Sequence, residues 1–510
     1  MLAFADWLTA HATRTPEQIA LIFDDRVYTY EALAARSAQL AAWLQHERGL
    51  APGARLAWLG FNTPDLIVLL FACARIGVVL VPLNWRLSDQ ELASIVADAG
   101  VALAVIDNSC ADRALALAAV PQVMARSPDA ANPLPADHAE YRAATSFAAP
   151  ERGVLLVYTS GTTGVAKGVL LSQAALCCNA SNAQHMHDMT SADRVLTVLP
   201  MFHVGGLNIQ TLPALACGAS VILEARFDAT RTLELIASAR PSLTVQVPST
   251  LGALLAHHAW ATTDLSSLRA CATGSTDVPL ALIAALHTRQ VPVIQIYGAT
   301  ETGPVAIYQR IAQAYSHVGS IGCAGLHTEI RLLDEAGQEV VAGTPGEIFV
   351  RGAHVAQGYW DRATQAATPF ADGWFASGDI AMRDEAGFYW FKDRRKHVII
   401  SGGENIYPAE LERVLAGCAL LREAAVVGRA DAQWGEVPVV VAVRGTAALG
   451  RAEVLALFDG QVARFKQPKD VVFVDALPRN ALGKLEVQRL RELVGNEIPG
   501  GGATGNTRSD

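Results

Sequence analysis

Apolar, strand-like runs alternate with helix-length stretches along the first part of this chain, and that alternation limits the fold more than any other feature. Ala20 to Phe23 and Val27 to Tyr28 predict a hairpin around Asp24-Asp25-Arg26. Thr29 then predicts the N-cap of a long helix running through Leu44. Arg55 to Leu59 reads as a strand, Pro64 to Ile76 as a buried helix, Val78 to Val81 as a strand, Leu92 to Asp98 as a helix and Val101 to Ile106 as a strand. Strands separated by helices of this length imply parallel sheets covered on both faces. An α/β class follows. With 510 residues the chain exceeds one hydrophobic core, so at least two domains are expected.

One stretch carries more chemistry than the rest. An apolar run, Val154 to Val157, opens into Thr159-Ser160-Gly161-Thr162-Thr163-Gly164-Val165-Ala166-Lys167-Gly168 and returns to a strand at Val169 to Leu171. Glycine lets backbone N–H groups approach an anion, hydroxyls add rotatable donors and lysine adds a point charge, so the stretch suits a phosphate chain. It is not a Walker loop, since Ala166 precedes Lys167 and Gly168 follows it.

Further dense segments follow. Pro200-Met201-Phe202-His203-Val204-Gly205-Gly206-Leu207 places a histidine beside paired glycines after a strand, as in a pocket wall; a lone histidine is more often a satisfied core residue. Gln295-Ile296-Tyr297-Gly298-Ala299-Thr300-Glu301-Thr302-Gly303 puts a carboxylate in a glycine-bounded loop, where it can organise a magnesium ion on phosphates or be a simple exposed acid. From about residue 316 to 394 short strands and turns predict a small β-rich subdomain. It ends with Ser377-Gly378-Asp379 and the basic run through Arg394 and Lys396, which by itself reads as a solvated turn. Residues 397–495 predict a separate small α/β domain. Within it lie a helix Pro408 to Ala416, a helix Arg451 to Arg464, Ser401-Gly402-Gly403-Glu404-Asn405-Ile406, Trp434-Gly435 in a loop, and Pro478-Arg479-Asn480-Ala481-Leu482-Gly483-Lys484. Residues 128–150 read as a linker, and 496–510 as a disordered tail.

Composition excludes several classes. A net charge of −9 disfavours nucleic acid as the main partner. The eight cysteines form no Cys-x-x-Cys pair and no compact Cys/His cluster, which points to thiols of a reducing compartment rather than zinc. The N-terminus lacks a basic segment followed by an apolar run, and the most apolar window, Leu66 to Leu83, is interrupted by Arg75, Gly77 and Pro82. A soluble, cytoplasmic protein, not integral to a membrane, is the expectation.

Five of these segments, in this order and spacing, resemble the adenylate-forming superfamily of acyl-CoA and aryl-CoA synthetases, peptide-synthetase adenylation domains and beetle luciferases. They are Thr-Ser-Gly-Thr-Thr-Gly, Tyr-Gly-x-Thr-Glu, Ser-Gly-Asp, Ser-Gly-Gly-Glu-Asn-Ile and Pro-Arg-x-x-x-Gly-Lys, and the similarity spans residues 1 to about 492. The resemblance implies a large N-terminal domain, residues 1–394, of αβαβα-type parallel sheets with the β-rich subdomain. A small mobile α+β C-terminal domain, residues 397–495, would follow. It implies ATP, Mg²⁺ and coenzyme A as cofactor and co-substrates of a carboxylic acid–CoA ligase. By the same resemblance Thr159, Ser160, Thr162, Thr163 and Lys167 belong to the phosphate loop, Tyr297 flanks adenine, and Thr300 contacts phosphate. Glu301 matches the metal-organising acid, Asp379 and Arg394 the ribose-binding pair, Lys396 the hinge and Lys484 the lysine of the adenylation step. His203 matches the gate beside the acyl pocket, and Gly402, Gly403 and Trp434 the thioester-step contacts to CoA. Departures from the family pattern are Ala166, Asp393, His397 and the segment Gly274-Ser275-Thr276-Asp277.

The acid pocket is expected along His203 to Ile209, Ala272 to Thr276 and Tyr297 to Ala299, with Asn208, Thr273, Ser275 and Thr276 as its polar spots. No lysine or arginine falls among them, which disfavours a dicarboxylate and favours an aromatic or medium- to long-chain fatty acid. A carrier-protein-loading enzyme, a luciferase-like oxygenase and a non-catalytic nucleotide-binding protein are the competing readings; a homodimer is a further expectation.

Overall fold

The computed structural model describes residues 2–24, 26–125, 144, 146–159, 166–274, 278–360, 369–401, 404–431, 434–445, 449–459, 461–462, 464–480 and 483–496. Ser160, Thr162, Thr163, Ser275, Thr276, Gly402, Gly403, most of the 128–150 segment and the tail beyond Asn496 lie outside them. The chain divides into two compact units: Met1–Ser377 with Met382–Trp390, and Gly378–Ala381 with Phe391–Asp510.

The first unit holds two large sheets. In one the spatial order is Gln122–Ala125, Leu103–Ile106, Arg55–Leu59, Val79–Leu83, Gly153–Thr159 and Lys167–Ser172. All neighbours are parallel except the last pair. In the other the order is Cys323–Ala324, Ile307–Tyr308, Val293–Tyr297, Ala270–Gly274, Leu243–Gln246, Arg194–Thr197, Ser220–Leu223, Ile19–Phe23 and Arg26–Thr29. Here the middle is parallel and both margins are antiparallel. The sheets are thus mixed rather than wholly parallel. A parallel crossover needs a dozen or more residues; the antiparallel connections after Phe23, Thr159 and Tyr297 are shorter than that, whereas the one from Tyr308 to Cys323 is not.

A single apolar core joins facing residues of both sheets, among them Leu56, Leu103, Leu155, Val195, Val221 and Ile294. The helix Pro64–Ile76 lies in this core. Proline starts it at the first helical turn and Gly77 ends it at φ 71°. Its Ile67, Leu69 and Leu70 are wholly buried, each contributing about 2 kcal/mol of apolar transfer. Two more cores cover the outer sheet faces: the helix Asp89–Ala99 closes one, and the helices Ala229–Ala239, Pro248–Ala256 and Leu280–Thr288 close the other. The layers run α, β, α, β, α. Thr29, Ser88 and Ser172 cap the helices that follow them. The β-rich part contributes the antiparallel pairs Glu329–Leu333 with Pro345–Arg351, and Phe370–Ala371 with Trp374–Arg383.

The second unit is built on one sheet in the order Glu404–Ile406, Ile399–Ser401, Gly435–Arg444 and Leu421–Asp431, with Asp470–Phe473 parallel to Gly435–Arg444. The helices Pro408–Ala416 and Arg451–Ala456 cover it on one side, and Val487–Asn496 on the other. The second of these is shorter than the Arg451-to-Arg464 helix expected, since Asp459-Gly460 is a turn signal inside that span.

Candidate active site

The hairpin Gly153–Thr159 and Lys167–Ser172 brings Thr159 opposite Lys167, so both ends of the hydroxyl-rich stretch meet at one place. Lys167 is half-buried, and its ammonium stands 5.1 Å from the centre of the Tyr359 ring. Tyr359 bridges to Val169 through the backbone, and the Trp360 amide donates to the Gly168 carbonyl at 2.7 Å. A chain segment far along the sequence therefore lines the exit of the phosphate-loop stretch.

The same segment holds Glu301. The strand Val293–Tyr297 ends at Gly298, where a Cβ would overlap the Pro304 carbonyl oxygen, so only glycine fits. Thr300–Thr302 forms a single 3₁₀ turn. The Tyr359 hydroxyl donates to Glu301 Oε1 at 2.8 Å, and the Ala356 amide to the Glu301 carbonyl at 2.8 Å. His354 is buried, and its Nδ1 donates to the Thr302 carbonyl at 2.7 Å while Nε2 meets Thr328 Oγ1 at 2.9 Å. Burial holds this imidazole neutral by lowering its pKa. Thr300 is buried and Tyr297 half-buried. Gln295 lies two residues before Tyr297 and so on the same strand face; its buried Oε1 has no hydrogen-bond partner among the described residues.

His203 caps the short helix Val204–Gly206, its Nδ1 accepting from the Gly205 amide at 3.1 Å. In the neutral ring the proton is then on Nε2. A π-helical turn, Leu207–Thr211, follows, a conformation common at functional sites. Two expected polar spots of the acid pocket are closed off from solvent. Asn208 and Thr273 are both fully buried, and Asn208 Nδ2 donates to the Gly303 carbonyl at 2.8 Å. Through this bond Asn208 ties the His203 segment to the Glu301 loop. The guanidinium of Arg86 lies 4.6 Å over Trp85 and 5.8 Å from Phe202, beside His203 in the chain.

In the second unit Arg394 Nε is 3.2 Å from Asp379 Oδ1. Asp393 accepts from the Arg394 amide at 2.7 Å and from the Ala409 amide at 2.9 Å. Its carboxylate thus serves the N-terminus of the helix Pro408–Ala416, which gives this departure from the family pattern a structural use. Ser401 pairs with Glu404 on one side and Gly435 on the other, so the residues flanking Gly402-Gly403 adjoin Trp434. Trp434 is 48% exposed, its amide donating to Asp431 Oδ1 at 3.0 Å. Lys484 stands in a tight hairpin: Asn480 and Lys484 exchange hydrogen bonds, and Arg479 donates to the Gly483 carbonyl at 2.8 Å and to Glu423 at 2.9 Å.

Residues 8–360 match the family model described as AMP-binding enzyme, and residues 410–484 match its C-terminal domain. The chain belongs to the AMP-binding enzyme family. It is 43% identical to the indoleacetate–CoA ligase of Aromatoleum aromaticum, over 97% of this chain and 98% of that one. It is 38% identical to a feruloyl-CoA synthase of Amycolatopsis sp, over 96% and 98%. The o-succinylbenzoate CoA synthetase of Bacillus subtilis, solved with its acyl-adenylate intermediate, superimposes with a TM-score of 0.86 at 30% identity, covering 97% of this chain and 99% of that one. The same synthetase with ATP and magnesium ion gives 0.83, covering 95% and 99%. These similarities place the chain in the acyl-CoA and aryl-CoA synthetase branch, as an ATP-dependent, AMP-forming acid–thiol ligase.

Of the residues matched to the family's site, Thr159, Lys167, Tyr297, Thr300, Glu301 and His203 lie in the first unit, and Asp379, Arg394, Trp434 and Lys484 in the second. Among the described residues no group of three or more His, Cys, Asp or Glu side chains could hold a metal ion. Glu301 would act as a lone protein carboxylate beside phosphate oxygens, a donor set that suits Mg²⁺. No helix of the described residues is long and apolar enough to cross a membrane. Tyr359 and His354 escaped the sequence reading, and Gln295 entered it only as the first residue of the segment through Gly303. Only the aromatic pair Tyr359-Trp360 after Gly358 marked the first of them.

Proposed function

We propose that this ligase activates an aromatic or arylalkanoic acid as its acyl-adenylate and transfers the acyl group to coenzyme A. The observation that argues for a monocarboxylate is the pocket segment His203 to Ile209 with Ala272 to Gly274 and Tyr297 to Ala299. It offers no lysine or arginine to a second carboxylate, and its Asn208 and Thr273 are already buried. The two relatives that act on indoleacetate and on a feruloyl group support the aromatic class. The exposed Trp434 supports free CoA over a carrier protein as acceptor, since an indole face can stack on an adenine base.

The substrate carboxylate attacks the α-phosphorus of ATP and pyrophosphate leaves. Thr159, Ser160, Thr162, Thr163, Lys167 and Thr300 grip the phosphates, Tyr297 flanks adenine, and Asp379 and Arg394 hold the ribose hydroxyls. Lys484 offsets the charge that builds between carboxylate and α-phosphate. Magnesium bound at Glu301 would supply Lewis-acid charge to the phosphate oxygens. The CoA thiolate then attacks the acyl-AMP carbonyl beside His203, and AMP leaves; Gly402, Gly403 and Trp434 guide the CoA. Lys396 is the hinge about which the small domain exchanges Lys484 for this second set.

The test is a pyrophosphate-release panel of arylacetates, cinnamates, benzoates, fatty acids and dicarboxylates, each with CoA and with a holo-carrier protein. Arylacetates or cinnamates with CoA should give the highest kcat/KM. A dicarboxylate or carrier-protein preference overturns the reading.

A further inference from the structure

The segment Gly352 to Trp360 crosses two parts of the first unit that the sequence separates widely. At one end His354 and Ala356 hold the backbone of the Thr300–Thr302 turn. At the other, Tyr359 and Trp360 pair with Val169 and Gly168 beside Lys167. Between these anchors one side chain meets both charged groups. The Tyr359 hydroxyl donates to Glu301 Oε1 at 2.8 Å, and its ring face receives the Lys167 ammonium at 5.1 Å. The ring is steadied edge-on by Phe370, with centroids 5.5 Å apart.

We propose that Tyr359 is a positioning residue for the adenylation step: it orients the Glu301 carboxylate toward the metal–triphosphate and holds Lys167 at a separate contact. The proposal rests on the reading of Glu301 as the metal-organising acid. A phenol donates a single proton, so the bond fixes one carboxylate oxygen and the rotamer, and directs the other oxygen to a cation. The ring face attracts an ammonium without neutralising it. Lys167, at the start of the strand Lys167–Ser172, and Glu301, in the Thr300–Thr302 turn, are opposite charges that meet one tyrosine, and a direct ion pair would consume both before a nucleotide arrived. Engaging each through a different part of one tyrosine keeps both available to phosphate and metal.

The test uses the full-length protein and equilibrium binding besides turnover. Mn²⁺ binding in the presence of ATP is followed by electron paramagnetic resonance, and ATP binding in EDTA by calorimetry. Tyr359→Phe keeps the ring, its contact with Phe370 and the backbone pairing. It should weaken Mn²⁺ binding about tenfold, as for loss of a hydrogen bond to a charged group. ATP affinity in EDTA and Tm should be unchanged. Tyr359→Leu, which also removes the ring, should in addition weaken ATP binding in EDTA as Lys167→Ala does. In a Glu301→Gln background, Tyr359→Phe should add nothing. Unchanged Mn²⁺ affinity in Tyr359→Phe, with a loss in Glu301→Gln, overturns the role of Tyr359 alone. Unchanged affinity in Glu301→Gln overturns the reading of Glu301 and the proposal with it.

Discussion

Glu423 and Asp431 stand at opposite ends of the strand Leu421–Asp431, and each anchors one of the two turns assigned to the chemistry. Glu423 binds Arg479, whose other arm holds the Lys484 hairpin at Gly483. Asp431 holds the Trp434 amide, next to the strand pair that flanks Gly402-Gly403. At about 3.3 Å per residue the two anchors are roughly 26 Å apart. The two turns thus lie at opposite ends of one strand, an arrangement compatible with the proposed exchange of Lys484 for the CoA-contacting set between the two half-reactions.

Lys484→Ala should therefore lower acyl-AMP formation about a hundredfold or more, the usual effect of removing a charge-stabilising group. Thioester formation from supplied acyl-AMP should stay near wild type. Pyrophosphate exchange and a CoA-trapping assay with synthetic acyl-AMP measure the two steps separately. Equal losses in both would show that Lys484 is not confined to adenylation.

Trp434→Ala should do the reverse. Loss of one aromatic stacking surface raises the KM for CoA about tenfold and leaves the KM for ATP within twofold. The indole is half-exposed and its backbone is held by Asp431, so the fold should be unaffected. An unchanged KM for CoA removes Trp434 from the CoA site.

The sequence showed the layers clearly and the cross-links between them hardly at all. The helices Pro64–Ile76 and Pro408–Ala416 were legible to their ends because proline opens both and glycine follows both. Glu301 was legible because its loop is bounded by Gly298 and Gly303. Tyr359 and Asn208 were not, since each acts on a loop distant in sequence: Tyr359 on Glu301, and Asn208 on Gly303. No periodicity or local spacing encodes such a bond. Asp393 stood out in the sequence only as a departure from glycine; its use appears once the Ala409 amide is beside it.

His187 should make the first unit sensitive to acid. It is wholly buried, its Nδ1 donating to the Ala183 carbonyl and its Nε2 accepting from Gln210. Burial is the main cause of a pKa lowered to about 4; the hydrogen bond to the Ala183 carbonyl acts against it, as do Asp193 and Asp188, while Arg269 lowers it further. Between pH 6.5 and 4 the unfolded chain binds a proton that the folded one refuses, so stability falls as pH falls through that window. The loss between pH 7 and pH 5 should be about 2 kcal/mol. Urea midpoints across this range should show a slope smaller by about one proton in His187→Asn. An unaltered slope would assign the acid sensitivity to other groups.

The paired glycines after His203 should differ sharply in tolerance. At Gly206 a Cβ would overlap the Pro200 carbonyl oxygen and stand 2.5 Å from that of Leu199. Backbone atoms cannot step aside, so Gly206→Ala should cost about 2 kcal/mol or more and lower activity toward every acid. At Gly205 a Cβ meets only the His203 ring, at 3.3 Å from Nδ1, and a side chain can yield by that much. Gly205→Ala should fold normally, and if Gly205 lines the acid pocket it should raise the KM of a bulky arylacetate several-fold while sparing benzoate. Thermal melts separate the first effect, and a KM series ordered by substrate size the second. A Gly205→Ala enzyme that loses all acids equally would place the acid elsewhere, because a pocket wall must discriminate by size.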